Sequence, residues 1–157
     1  MSDRRRRRLR GAAAGALAAG VWALQQPLDM RVFGVRYDDT ELLGKAVTRG
    51  SNWRPIGAAV HLANGAAFGA AYASAVARSP LPEWANGPLA ATIENFGLWP
   101  LVGLTDRFHP AHEQLPDLAG NRAALAQATW RHLLFGTVLG ETERRLRHRY
   151  PDAGTPE

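Results

Sequence analysis

The residues of this chain that could do chemistry are few and lie in apolar surroundings. His61, Asn64, Glu94, Asn95, Arg131 and His132 interrupt stretches of Ala, Gly and Leu, and Asp29 and Asp106 stand at the ends of two of those stretches. Two imidazoles can hold protons, bridge helices by hydrogen bonds, or ligate one iron as a pair. A carboxylate and a guanidinium on neighbouring helices can neutralise one another, which makes Glu94 and Arg131 a candidate pair; the alternative is that Glu94, beside Asn95, is a proton-linked or ligand-binding group. Asn64, one turn beyond His61, suits a bridge between helices. A metal held by Asp29, His61, Asp106 and His132 requires side chains at different depths to converge, so neutral, hydrogen-bonded histidines are the preferred reading. His109, His112 and Glu113 make an exposed turn without the His-Glu-x-x-His spacing of zinc proteases.

Other chemistries are excluded or unsupported. The chain has no cysteine, which removes disulfides, thiolate metal sites and cysteine nucleophiles. It has no Gly-rich phosphate loop or nucleophile elbow, and Ser51, Ser74 and Ser79 have no base at a motif spacing. The expectation is a protein that is not an enzyme, with no catalytic residue, metal or cofactor assigned. Nineteen basic against 14 acidic residues leave a net charge of +5, and six arginines fall in the first ten residues with four more between Arg144 and Arg149. Both clusters flank apolar segments, where Arg orients a span or meets anionic headgroups, so no nucleic-acid partner is expected.

The elements that would position these groups are four apolar segments. The most informative runs from Pro55 to Arg78 and carries no charge from Ile56 to Ala77; at 1.5 Å per residue it can cross a bilayer core of roughly 30 Å. Counting in fours gives Gly57, His61, Gly65, Gly69 and Ala73, a GxxxG-type ridge that should face another helix. The pattern returns as His132, Gly136 and Gly140. Spans are predicted at about 11–28, 56–77, 86–105 and 123–143 within a membrane domain of 11–148. They are flanked by a basic cytoplasmic segment, 1–10, and a disordered tail, 149–157. Asp38-Asp39-Thr40 reads as the cap of a short surface helix, and Pro100 as a kink. The first span also fits a cleaved signal, but Gln25-Gln26-Pro27 closes it without a clear cleavage site, so it is read as retained.

Gly20-Val21-Trp22-Ala23-Leu24 with Asp29 echoes Gly97-Leu98-Trp99-Pro100-Leu101 with Asp106, and His61 echoes His132. This predicts an all-α, four-helix transmembrane bundle built from two related helical hairpins about a pseudo-twofold axis along the membrane normal. Its two histidine-bearing helices would be partners. Leu42-Leu43-Gly44, then His61 ahead of Gly65, Phe68 and Tyr72, then His132 ahead of Gly136, resembles the YagU-like family of small uncharacterised bacterial inner-membrane proteins. That resemblance implies a polytopic protein of the inner (cytoplasmic) membrane and carries over no catalytic residue. The Arg-rich ends place both termini in the cytoplasm. The partners expected are the lipid bilayer and a second copy or another membrane protein, and the role that of a membrane-embedded binding or accessory component. The alternatives are a small transporter or proton-linked channel subunit and a haem or metal carrier. A mean hydropathy of −0.24 is low for a membrane protein, which keeps a soluble Ala-rich helical bundle as the further alternative.

Overall fold

The computed structural model describes residues 2–151. Among them the regular structure is helical: α1 (Asp3–Phe33), α2 (Asp39–Val47), α3 (Trp53–Val76), α4 (Glu83–Leu98), α5 (Val102–Phe108) and α6 (Arg122–Arg149), with single 3-10 turns at Trp99–Leu101 and His112–Gln114. Local chemistry sets the boundaries. α1 begins within the arginine run, so Arg4 to Arg8 form its first turns, and it ends at Gly34, whose φ of 69° is a left-handed cap. α2 starts where the Asp38 carboxylate accepts the backbone N–H groups of Thr40 and Glu41. Asn121 caps α6 in the same way by accepting from Ala124. Pro100 lacks a backbone donor, and the chain passes through a 3-10 turn there before α5 resumes.

Packing is governed by missing side chains. α1 and α3 run antiparallel with Gly11 and Gly15 against Gly69 and Gly65, and a Cβ at Gly15 would run into the Gly65 carbonyl oxygen. Gly87 of α4 meets Gly136 of α6 in a second such crossing, and Gly57 of α3 meets the Thr40 carbonyl of α2 in a third. α1 joins the two pairs by packing on α6, whereas α3 and α4 barely touch. A groove therefore opens between α3 and α4. The core behind it is made of Ala14, Ala18, Ala19, Trp22, Tyr72, Ala91, Phe135 and Leu139; Val35, Leu118 and Ala124 form a smaller cluster under the loops.

This architecture overturns the transmembrane reading, because none of the described helices is long and apolar enough to cross a membrane. α3, at 24 residues, has the length, but a segment free of charge is not thereby strongly apolar. Its Ala and Gly residues contribute little to transfer, and His61 and Asn64 subtract from it. α4 has 16 residues and reaches only about 24 Å. α1 and α6 are long but bury charge, with Arg10 and Asp29 on one and Arg131 and Glu143 on the other. The four-span bundle, the bilayer as partner, the inner-membrane location with cytoplasmic termini and the embedded, transporter or channel roles fall together. The expected partnership of the two histidine helices is replaced as well: the glycine seam of α3 meets α1, and that of α6 meets α4. Of the predicted tail, residues 152–157 lie outside the described residues.

Candidate functional site

Two polar assemblies lie inside the bundle, and they differ in how completely their charges are matched. The first is centred on Arg131, which is fully buried on α6. Its Nε and one terminal nitrogen donate to the two Asp29 oxygens at 2.7 and 2.5 Å. The other terminal nitrogen donates to Asp39 Oδ2 at 2.7 Å, and a further N–H reaches the Tyr37 carbonyl at 2.8 Å. Asp29 also accepts from Gln25 and Gln127, and Asp39 accepts the Trp22 indole N–H at 2.9 Å. Burial lowers the Arg131 pKa while Asp29 and Asp39 raise it, and the net result lies above the ordinary value. Burial, with the Asp39 carboxylate beside it, likewise holds the Tyr37 hydroxyl well above its ordinary range. The assembly ties the 34–38 loop and the start of α2 to α1 and α6. Every charge in it has an opposite charge at hydrogen-bond distance, which is the condition for burying ions at tolerable cost.

The second assembly lines a cavity of about 240 Å³ in the groove between α3 and α4. Trp22, Phe68, Trp99 and Phe135 supply an aromatic wall, with His61, Asn64, Glu94, Asn95 and His132 among the polar groups. Trp22 packs edge-on against both imidazoles, with ring centroids 5.4 Å from His61 and 4.8 Å from His132. His61 Nε2 donates to the Ala19 carbonyl at 3.2 Å, and His132 Nδ1 donates to the Ala128 carbonyl at 2.8 Å. A carbonyl oxygen only accepts, so the Nδ1 hydrogen of His132 is committed and its Nε2 is left facing Glu94 Oε2 at 3.5 Å. With the imidazole neutral, two acceptors confront each other. Burial pushes the Glu94 carboxyl above its ordinary value and a charged His132 pulls it back. Asn95 is buried and donates to the Thr129 hydroxyl at 3.1 Å.

The structure thus regroups the predicted site residues. His61, Asn64, Glu94, Asn95 and His132 line one cavity. Arg131 pairs with Asp29 and Asp39 instead of Glu94. Asp106 is elsewhere, accepting the backbone N–H groups of Leu118 and Ala119. Gly65 belongs to both the α1–α3 crossing and the cavity wall, Gly57, Gly69 and Gly136 lie at helix crossings, and Gly140 has looser surroundings near Gly87. A haem held by both imidazoles would have to displace the Trp22 ring, which packs edge-on against each of them. Among the described residues no cluster of three His, Asp or Glu side chains could hold a metal ion. His109 uses both nitrogens, donating Nε2–H to Leu42 and accepting from Ala111 at Nδ1.

Sequence reasoning missed Trp22, Tyr37, Asp39 and Gln127. The available signal was spacing, since Gln127 and Arg131 are one turn apart and so share a face of α6, as do Gln25 and Asp29 on α1. No family model, no curated protein and no solved structure matches the chain. The resemblance to YagU-like inner-membrane proteins therefore has no support beyond small-residue helix patterns, and the absence of a sufficiently apolar helix contradicts it.

Proposed function

We propose that this chain is a ligand-binding helical bundle whose groove between α3 and α4 takes a small molecule with a flat apolar body and a cationic or donor nitrogen. The observation that carries this reading is the approach of Glu94 Oε2 and His132 Nε2 to 3.5 Å on the wall of a cavity otherwise lined mainly by aromatic and aliphatic side chains, with the Asp39 carboxylate also on its wall. A proton held between the two atoms satisfies both, and a ligand nitrogen approaching from the cavity can donate to either of them. Mostly apolar pockets with a few convergent polar groups are the usual form of small-molecule sites.

Titration with tryptamine and with neutral indole, followed by amide chemical shifts, tests the reading. Tryptamine should bind about tenfold or more tightly than indole, as expected of one charge-assisted hydrogen bond worth about 1.5 kcal/mol or more. Glu94→Gln should erase that preference, and Asn64→Trp, which fills the cavity from its exposed rim, should abolish both. Binding that ignores Glu94→Gln and Asn64→Trp alike would reject the site.

A further inference from the structure

A second concentration of charge lies at the far end of the α1–α3 pair. Arg4, Arg7, Arg8 and Arg78 line a cleft of about 330 Å³ together with Ser74. The antiparallel register that sets Gly15 against Gly65 and Gly11 against Gly69 continues for two more turns. It brings Arg8 and Arg4 to within about half a turn of Ser74 and Arg78, which line the same cleft. Arg4, Arg7 and Arg8 follow the i, i+3, i+4 spacing and so share one face of α1, as Ser74 and Arg78 share one face along α3 and its exit.

No carboxylate lines this cleft, and among the described residues none pairs with Arg4, Arg8 or Arg78. Arg7 already holds another contact, which leaves Arg4, Arg8 and Arg78 to meet a ligand. Ser74 donates its hydroxyl hydrogen to the Ala70 carbonyl, which leaves guanidinium groups as the donors of the cleft. Their mutual repulsion is compounded for Arg4 by its place in the first turns of α1, where the helix dipole is already positive. A multiply charged anion relieves all of these terms. Guanidiniums arriving from two helices suit tetrahedral phosphoryl groups, whose oxygens accept two N–H bonds from each planar fork.

We propose that this cleft is an anion site for a di- or triphosphate group, gripped by Arg4, Arg8 and Arg78. The ligand is recognised by its phosphate chain, free or carried on a nucleotide.

Isothermal titration with inorganic triphosphate tests this, at constant ionic strength maintained with potassium chloride so that general screening does not change. Saturable binding is expected, with sulfate much weaker. Arg8→Gln and Arg78→Gln should each weaken it tenfold or more, and Arg36→Gln, in the α1–α2 loop, should leave it unchanged. ATP binding as tightly as triphosphate would support recognition of the phosphate chain, whereas binding of ATP with triphosphate inert would overturn it. Equal weakening by Arg36→Gln and Arg8→Gln, or no saturable binding, would also overturn it. The ligand-free melting temperatures of Arg8→Gln and Arg78→Gln are expected to be no lower than the parent's, since each substitution removes like-charge repulsion. This separates a lost site from a lost fold.

Discussion

Arg131 and Glu94 belong to one bundle and their surroundings are unlike, although Asp39 and Tyr37, which hold Arg131, also line the cavity that Glu94 faces. On the closed side, where α1 packs on α6, Arg131 makes four hydrogen bonds to Asp29, Asp39 and the Tyr37 carbonyl, and the ion-paired atoms are largely out of solvent. On the open side, where α3 and α4 barely meet, Glu94 is half-buried and faces an imidazole whose other nitrogen is already committed. The contrast separates two uses of buried charge. A charge whose valences are filled by the fold holds the fold together. A charge left facing a cavity with an incomplete partner is available to something from outside.

The closed side can be broken most severely. Arg131→Met strands the Asp29 and Asp39 carboxylates in the interior, and urea unfolding should report a loss of about 3–5 kcal/mol, the usual cost of removing one member of a buried ion pair. A loss below about 1 kcal/mol would mean that Asp29 and Asp39 find other partners and that the assembly is not a structural tie. Next in size is the glycine crossing of α1 with α3. Gly15→Val drives a side chain into the Gly65 carbonyl and should cost about 1–3 kcal/mol, typical of overpacking.

The open side should respond in the other direction. Nothing lies within 4 Å of a Cβ added to Gly97 of α4, so Gly97→Ala should raise stability by about 0.5–1 kcal/mol through helix propensity alone. Destabilisation there would show that α4 is packed more closely than the groove implies.

Helix existence and punctuation were legible in the chain. The Asp38 cap and the break at Pro100 follow from residue types whose backbone preferences are local. The setting of those helices was not legible from charge alone. An uncharged α3 invites a membrane, but Ala, Gly, His61 and Asn64 do not supply the apolarity that crossing requires. Pairing was only half legible. A glycine ridge announces a close approach without naming the partner, so Gly65 and Gly69 could not say that α1, and not α6, fills their groove. The polar residues fared similarly: His61, Glu94 and His132 do share one cavity wall. The partner of Arg131 depended on a long-range contact with Asp29 that helical spacing does not encode.

The smallest effect on stability is expected at Glu94, and it is one of pH dependence. Burial raises the folded-state pKa of this carboxyl above the ordinary 4.5, opposed in part by His132. The folded chain therefore holds the proton more tightly than the unfolded chain. The associated stability is complete below about pH 4.5 and is lost as pH rises through the folded value. Glu94→Gln should flatten that part of the stability profile and leave the acid side unchanged. Thermal melts from pH 4 to 8 would show this, and parallel profiles for the two proteins would place Glu94 in ordinary solvent.

The most direct test of the division between the two sides is a carbon-13 titration of the Glu94 carboxyl, with and without tryptamine. The account predicts a midpoint above the ordinary carboxylate value in the free protein, falling when the amine is bound, because a cation beside Glu94 favours its charged form. An ordinary midpoint that tryptamine does not move would contradict it, leaving Glu94 and His132 as surface groups beside an unused groove.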